Sequence, residues 1–314
     1  MITKKAKAFA PAAISSFFEI CDQTGTGKPI RNIARLGARG GGFGLQKGVF
    51  TEVTVSAAKR QTIQILINGM PTPEAKTTET TLHMVLATAE GTYQVVANHR
   101  IEVPVGAGFG TSAGGAITAG LALKEALNLP LTTNRIGEMA HAAEIQCQTG
   151  MGTVSSLTQI GGCVLVVEPG APGFCLLDSI PLVPDYVVVA GVFRSIPKTT
   201  VFSSPKKRYE VNQFGKKTLE HILAEPTLEK FLECCWQFSM ETGFATPRVK
   251  NLVKLAQKAG AVGAAQNMVG EAVHAVALEE NAAKVAEAFK QVLPRESVIV
   301  SKIDFQGARL VAGA

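Results

Sequence analysis

The chain has 314 residues, 46% of them hydrophobic and 18% charged, and a formal net charge of +6. This composition excludes intrinsic disorder, and the length suffices for two domains that share an interface. Only 6% of residues are aromatic and the cations are dispersed, which argues against a nucleic-acid partner. No apolar run approaches the roughly 20 residues of a membrane span, which argues against a membrane-spanning protein.

The six cysteines show neither metal-ligand spacing nor histidine companions. We therefore expect reduced thiols rather than disulfides or a zinc site. The first residues lack the apolar core of a signal peptide. Both observations predict a cytoplasmic protein.

The amino-terminal part of the chain predicts β structure interrupted by glycine. Alternation and β-branched residues predict strands at Lys7–Ala12, Pro11–Ile20, Gly48–Val55 and Gln61–Ile67. Between them, polar residues predict an exposed loop over Cys21–Ala34, and glycines predict a loop over Gly37–Gly44. Asn68 and Gly69 are a turn signal at the end of the last of these strands.

A second glycine-rich stretch lies between a predicted strand pair and a long predicted helix. Pro73–Ala89 has the pattern of a helix, and the strand pair is predicted at Tyr93–Ala97 and Arg100–Val103. The glycine-rich stretch Pro104–Gly115 follows. The next helix continues to about Asn128, because proline two residues later cannot extend it.

Pro104–Gly115 has the composition of a phosphate-binding loop. Glycines let backbone N–H groups approach an anion closely, and a helix beginning after them adds the positive end of its dipole. The lysine of a P-loop and the spacing of a dinucleotide fingerprint are both missing, and a purely structural turn is the alternative. The candidate nucleotide contacts are Pro104, Gly106, Ala107, Gly108, Phe109, Gly110, Thr111, Ser112 and Ala113.

The segment after this loop predicts a helix with two titratable residues. Thr133 is the expected N-cap of a helix through Gln146, on which His141 and Glu144 lie three residues apart. Thr149–Gly152 is expected to end the helix. A hairpin is then predicted from Gly161–Val167 and Gly173–Leu177.

The carboxyl-terminal part predicts helices closed by strands. Pro181–Pro184 is the expected domain boundary, followed by a strand at Tyr186–Ala190 and a polar loop at Ser203–Arg208. Helices are predicted at Leu219–Leu223, Thr227–Thr242, Thr246–Ala259, Asn267–Leu278 and Asn281–Val292. Strands at Ser297–Val300 and Arg309–Ala312 close the chain, and this order predicts an α+β fold.

Ser112 and Glu144 are the residues best suited to hold a metal ion beside a bound phosphate. Phosphoryl transfer depends on positioning and charge neutralisation, so it requires Mg2+ ligands near the phosphate loop. Ser112 at the start of the helix offers a hydroxyl, and its other interpretation is an N-cap. Glu144 offers a carboxylate, and its other interpretation is a solvated helix residue.

The spelling P-x-G-x-G-[LF]-G-[ST]-S-[AG] resembles the ATP-phosphate loop of the GHMP kinases. Further segments resemble one branch of that superfamily, the archaeal pantoate kinases, and they lie in order over nearly the whole chain. They are Ala10–Ile14, Phe17–Glu19, Gly37–Gly44, Gly108–Ser112, Ala140–Glu144, Thr149–Val154, Gly161–Gly162, Pro169–Gly170, Thr199–Thr200, Thr242–Gly243 and Gln266–Glu271.

The resemblance implies the GHMP kinase fold, with a ribosomal-protein-S5-like α/β domain over residues 1–180 and a ferredoxin-like domain over residues 181–314. It implies ATP and Mg2+ as cofactors, with Ser112 and Glu144 as catalytic metal ligands. The implied reaction is phosphorylation of a hydroxyl of a small anionic substrate, a short hydroxy acid, with pantoate as the favoured substrate, for coenzyme A synthesis. His141, Thr199 and Thr200 would lie on the substrate side, and a homodimer is expected because the superfamily is often dimeric.

Three positions depart from the pattern of the superfamily. Ala13 stands where many members have Lys or His, Ala38 where a serine is expected, and Thr153 where many members have the Asp that acts as general base. General-base help is worth roughly 10²–10⁴ in rate. Transfer with Thr153 at this catalytic position should be slowed but not abolished, since a loose transition state asks little of the nucleophile. A non-catalytic ligand-binding protein on this fold is the hypothesis from another class.

Arg31, Arg35 and Arg39 recur at intervals of four, with Lys28 just upstream. A solvated basic face is one interpretation. The other is an anion clamp for a substrate carboxylate or phosphate, with Arg39 as the candidate substrate contact. A phosphorylated mevalonate would suit several guanidinium groups, so an isoprenoid-pathway kinase is the second enzyme hypothesis.

Overall fold

Two β-sheets organise the residues that the computed structural model describes, 3–196 and 204–312. The strands are β1 (Thr3–Cys21), β2 (Gly37–Ala57), β3 (Thr62–Ile67), β4 (Met70–Pro71), β5 (Tyr93–Ile101), β6 (Cys163–Glu168), β7 (Leu176–Ile180), β8 (Tyr186–Ser195), β9 (Gly263–Gln266), β10 (Gly270–Leu278), β11 (Val298–Lys302) and β12 (Arg309–Val311). The larger sheet has the order β12-β1-β2-β5-β3-β4, with β6 also beside β2 and β7 beside β6. The smaller sheet has the order β11-β8-β10-β9.

Helices cover both sheets. They are α1 (Lys76–Leu86), α2 (Thr111–Leu127), α3 (Thr133–Gln146), α4 (Thr153–Gln159), α5 (Pro205–Ala224), α6 (Leu228–Glu241), α7 (Pro247–Lys258) and α8 (Glu279–Lys290), with 3-10 turns at Ile33–Arg35 and Arg295–Ser297. The first four pack around the larger sheet, and α7 and α8 lie on the smaller one. No helix within the described ranges is long and apolar enough to cross a bilayer.

The predicted α+β class is confirmed, and the two sheets separate at the predicted linker. The last strand of the hairpin ends at Ile180 and the first strand of the smaller sheet begins at Tyr186. The chain then returns to the larger sheet, because β12 pairs antiparallel with β1. Assignment of domains to residues 1–180 and 181–314 stays a prediction.

The predicted glycine loop over Gly37–Gly44 is wrong, because these residues form the first part of β2 and pair with β1. A Cβ on Gly42 would lie 1.7 Å from the carbonyl oxygen of Ile14, and one on Gly40 would lie 2.5 Å from that of Phe17. The glycines therefore allow the two backbones to approach closely. One register shift, between Ser15 and Phe17 of β1, lies opposite this segment.

Other predicted elements differ in their bounds. The two predicted strands at Lys7–Ala12 and Pro11–Ile20 are one strand, β1, and the predicted pair at Tyr93–Val103 is one strand, β5. The N-cap of α3 is Thr132, whose hydroxyl accepts from the backbone N–H of Arg135. The helix α4 was not predicted, since seven residues carry little periodic signal.

Two predictions in the carboxyl-terminal part are wrong in kind. Residues 205–208 of the predicted polar loop are the first turn of α5, which Ser204 caps by accepting from the N–H of Lys207. The predicted helix at Asn267–Leu278 is mostly the strand β10, which pairs with both β8 and β9. Its side chains are buried on both faces up to residue 277, so the apolar run lacks the alternation of a half-buried strand.

A buried histidine joins the two sheets. His274 on β10 has its Nε2 3.0 Å from the Ser16 hydroxyl on β1 and its Nδ1 2.9 Å from the Asn267 side-chain oxygen. Burial lowers the pKa of His274 to about 3. A second buried histidine, His99, bonds to the hydroxyls of Thr51 and Thr78, and burial lowers its pKa to about 4.

We expect both histidines to make folding sensitive to mild acid. Their folded-state pKa values lie below the unfolded value of 6.5, so the unfolded chain binds more protons as pH falls below 6.5. Each histidine then costs about 1.4 kcal/mol of unfolding free energy per pH unit between 6.5 and its folded pKa. Urea unfolding at pH 7, 6 and 5 checks this for the wild type, His274→Gln and the exposed-site control His83→Gln. Equal slopes for all three would contradict it.

Candidate active site

The glycine-rich stretch connects β5 to α2 and adopts a conformation that glycine alone accommodates easily. Gly106, Gly108 and Gly110 have φ values of +77°, +81° and +62°. Gly110 is the N-cap of α2, so Ser112 is the second residue of the helix and not its cap. The helix therefore begins at the end of the loop, with its unpaired N–H groups there.

Both sheets support this loop. On the side of the larger sheet, the N–H of Ala13 on β1 donates to the carbonyl of Phe109 at 2.9 Å, and Phe109 is buried. A Cβ on Gly110 would lie 2.8 Å from Thr153 Cγ2 and 3.0 Å from Ala13 Cβ. The start of α2 therefore lies directly against these two small side chains.

On the side of the smaller sheet, the loop contacts the end of β8 and the turn between β9 and β10. The Ser195 hydroxyl donates to the carbonyl of Val105 at 3.3 Å. A Cβ on Gly108 would lie 3.1 Å from Asn267 Cβ, and one on Gly270 would lie 3.1 Å from the carbonyl oxygen of Ala107. Residues far apart in sequence thus fix the path of the loop. Sequence reasoning missed Ser195, and it noted Asn267 only as part of a matching segment.

Ser112 and Glu144 lie at one corner, joined through two threonines. The Ser112 hydroxyl donates to Thr77 Oγ1 at 3.0 Å, and Thr77 Oγ1 lies 2.9 Å from Thr149 Oγ1. The N–H of Thr149 donates to the carbonyl of Glu144 at 3.0 Å. The Glu144 side chain is buried against Gly150, where a Cβ would lie 2.2 Å from its Oε1. Glu144 is therefore not a solvated helix residue.

A cleft of about 970 Å³, a volume that includes open solvent at its mouth, lies beside this corner. Ala13, Ala38 and Thr153, the three positions that depart from the superfamily pattern, all line it. Most of the remaining lining is glycine and apolar side chains. Its further lining residues from β1, β2 and the loop before α4 include Ile14, Phe17, Gly41, Gly42, Phe43, Met151 and Gly152.

Arg39 is the one charged residue among the described residues that line the cleft. Its Nε donates to the carbonyl of Val167 at 3.0 Å, and its terminal nitrogens lie 3.5 Å from Glu19 and 3.2 Å from Glu168. Burial alone would lower the pKa of Arg39, but the two carboxylates outweigh it and raise the pKa. The guanidinium is thus held in a fixed direction before any ligand arrives.

The other predicted basic residues do not join Arg39 at the cleft. Arg31 and Lys28 are exposed, and Arg35 lies with its guanidinium carbon 5.9 Å from the ring centre of Phe174. The spacing of four that grouped these arginines describes a helix face, but the segment is a loop that leads into β2. The interpretation as a solvated face therefore applies to them.

His141 is buried outside the cleft lining. Its Nε2 donates to the carbonyl of Leu36 at 2.9 Å, and its Nδ1 has no hydrogen-bond partner among the described residues. Burial lowers the pKa of His141, so the ring is neutral near pH 7. Its substrate role stays a prediction. Thr199 and Thr200 lie outside the described residues.

Comparison with known proteins identifies a similarity to one family. Residues 80–158, which include the glycine-rich loop, Ser112 and Glu144, match the family described as GHMP kinases N terminal domain. The glycine-rich loop and the two metal-ligand candidates therefore lie in a segment that is similar to the amino-terminal domain of the GHMP kinases, and the cleft lies beside it.

Two relatives and one solved structure show what this chain is similar to. A pantoate kinase of Methanocaldococcus jannaschii is 25% identical over 87% of this chain and 93% of its own length. A mevalonate kinase of Thermococcus sibiricus is 28% identical over 73% of each chain. A solved structure described as a phosphotransferase related to CoA biosynthesis pathway has a TM-score of 0.86 and 24% identity over 98% of both chains. This last similarity shows that the fold is shared over the whole chain.

Proposed function

We propose that this protein is an ATP-dependent kinase that phosphorylates a hydroxyl of a short hydroxy acid, with pantoate as the preferred substrate. The observation that carries the proposal is Arg39, the single cation among the described lining residues, in a lining otherwise uncharged that adjoins the phosphate loop through Thr153 and Ala13. The similarity to a pantoate kinase over most of both chains supports it.

The nucleotide end of the reaction lies at the glycine-rich loop. The left-handed glycines and the beginning of α2 suit the phosphates of ATP. The Ser112 hydroxyl and the Glu144 carboxylate are hard oxygen donors, which suit Mg2+, an ion that commonly takes one or two carboxylates together with phosphate oxygens. Bound Mg2+ would neutralise charge on the phosphates. The residues present therefore fit the metal.

The acceptor end lies in the cleft. Pantoate carries one carboxylate, a branched apolar centre and a primary hydroxyl, and the described lining offers one guanidinium among apolar and glycine residues. Arg39 would hold the carboxylate, so that the hydroxyl is directed toward Thr153 and the end of the phosphate loop. A phosphomevalonate has more negative charge than the described lining can match.

Thr153 offers a hydroxyl where a carboxylate base is common in relatives. The Thr153 hydroxyl can hydrogen-bond the acceptor hydroxyl and orient it, but it cannot take up the proton as a carboxylate does. Positioning then provides most of the rate, which suits phosphoryl transfer through a loose transition state.

The test is an ADP-release assay with Mg-ATP and a panel of acceptors. Pantoate, mevalonate, its phosphates, homoserine and shikimate are compared by kcat/KM. We expect the highest value for pantoate. Preference for mevalonate or its phosphate would support the isoprenoid hypothesis, which the mevalonate kinase similarity motivates. No turnover with any acceptor would leave the non-catalytic hypothesis.

Replacement of Arg39 separates the acceptor site from the nucleotide site. We expect Arg39→Ala to raise the KM for pantoate about 10- to 100-fold, because a charged hydrogen bond is worth roughly 1.5–3 kcal/mol. The KM for ATP should not change. Arg35→Ala is the matched control, since Arg35 does not line the cleft. A pantoate KM unchanged in Arg39→Ala, in protein with normal thermal stability, would remove Arg39 from the acceptor site.

A further inference from the structure

We infer that Thr77 on α1 is a positioning residue that sets the orientation of the Ser112 hydroxyl. This inference rests on the proposed function, because it assigns Thr77 a task in preparing the metal–nucleotide site. Thr77 is not among the residues that line the cleft, and its hydroxyl bonds to Ser112, through which it acts.

Hydrogen bonds join the hydroxyls of Ser112, Thr77 and Thr149 in series. The Ser112 hydroxyl donates to Thr77 Oγ1 at 3.0 Å, and Thr77 Oγ1 lies 2.9 Å from Thr149 Oγ1. Thr77 already accepts the hydrogen of Ser112, so its own hydrogen is available for Thr149. Thr77 is buried, and its backbone carbonyl accepts from the Thr81 hydroxyl at 2.8 Å. The acceptor for Ser112 is therefore fixed by the packing of α1 against α2.

A hydroxyl can serve a cation only if its hydrogen points elsewhere. Ser112 has one hydrogen and two lone pairs on its oxygen. With the hydrogen directed at Thr77, the lone pairs are free to face a cation beside the phosphate loop. Without an acceptor at residue 77, the hydrogen would turn to a phosphate oxygen, and the lone pairs would turn with it.

The same series of hydrogen-bonded hydroxyls connects Ser112 to the segment that contacts Glu144. Thr149 begins the segment that ends α3, and its N–H bonds to the Glu144 carbonyl. Gly150, the next residue, contacts the Glu144 carboxylate. Thr77 thus holds together the two elements that carry the candidate metal ligands. Linked hydroxyls also polarise one another, which strengthens each bond.

The experiment compares Thr77→Val, which removes the hydroxyl at nearly constant volume, with Thr77→Ser, which keeps it. Thr80→Val is the matched control, because Thr80 is on the same helix and bonds to Cys147 instead. The first readout is binding of Mn2+ in the presence of a non-hydrolysable ATP analogue, followed by the paramagnetic signal of free Mn2+. The second readout is the Mg2+ concentration for half-maximal turnover, and thermal unfolding checks the fold.

We expect Thr77→Val to weaken metal binding about 10- to 100-fold, the usual effect of removing a group that orients a metal ligand. Thr77→Ser and Thr80→Val should retain wild-type values. Thr149→Val, which removes the next hydroxyl, should have a smaller effect and serves as the test if Thr77→Val does not fold. Wild-type metal binding in both Thr77→Val and Thr149→Val would overturn the inference. Equal losses of metal binding in Thr77→Val and Thr77→Ser would also overturn it. Absence of turnover in the wild type would instead refute the proposed function, and the Mn2+ measurement would still decide the role of Thr77.

Discussion

Replacement of Glu144 by Gln is expected to lower kcat about 100- to 1,000-fold, because the metal site would lose its carboxylate and with it several kcal/mol of transition-state stabilisation. Gln has nearly the shape of Glu, so the buried corner beside Gly150 should keep its packing. Steady-state kinetics at saturating ATP measures the effect. Glu138→Gln is the control, because Glu138 is on the same helix and pairs with Arg135 at the surface.

A companion variant tests position rather than charge. A Cβ on Gly150 would lie 2.2 Å from Glu144 Oε1, so Gly150→Ala must displace the carboxylate without removing it. We expect it to share the loss of turnover seen in Glu144→Gln. Wild-type turnover in Glu144→Gln would exclude Glu144 as a metal ligand, and full activity in Gly150→Ala would show that the carboxylate position is unimportant.

A second large effect is expected at the phosphate loop itself. Gly108→Ala should raise the Kd for an ATP analogue about 5- to 30-fold, because a side chain at positive φ costs roughly 1–2 kcal/mol and the loop must leave its binding conformation to relieve this cost. The new Cβ would also lie 3.1 Å from Asn267 Cβ and 3.3 Å from the Met268 carbonyl oxygen. Titration calorimetry with the analogue measures the change.

Gly91→Ala is the matched control for this variant. Gly91 has a φ of +98°, so its substitution carries a similar backbone cost, and the nearest atom to its Cβ is the Tyr93 side-chain oxygen at 3.4 Å. Gly91 lies in the turn before β5 and not in the loop. Equal nucleotide affinity in the two variants would show that the conformation of Gly108 has no part in nucleotide binding.

The loop and the helix that follows it could be predicted from the sequence because the signals for them are local. Glycine spacing, a helix directly after it and the Ser112 hydroxyl all lie within one short segment, and the structure confirms a loop followed by a helix there. Glu144 was proposed as a carboxylate ligand on a predicted helix, with a solvated helix residue as its alternative. Its burial could not be read from a helix lined with alanines, since a lone carboxylate on such a helix resembles a surface residue.

The rest depends on contacts between distant segments. Thr77 lies in a threonine-rich stretch whose hydroxyls have no periodic signal, and its partners are 35 and 72 residues away. The Gly37–Gly44 prediction failed because glycine usually marks turns, whereas here it permits close approach to β1. The spacing of four did not predict which arginines lie together, because residues four apart share a face only on a helix and this segment is not one.

The support of the phosphate loop by both sheets limits how this kinase can be recombined with its relatives. Ser195, Asn267 and Gly270 come from the half of the chain that follows the linker, yet they contact the loop from Val105 to Gly108. A chimaera joined at Pro181–Pro184 would place another protein's side chains against these glycines. Replacing the half of the chain after the linker in order to change the acceptor specificity would therefore also alter the proposed nucleotide site. Keeping Ser195, Asn267 and Gly270 in the chimaera would avoid this.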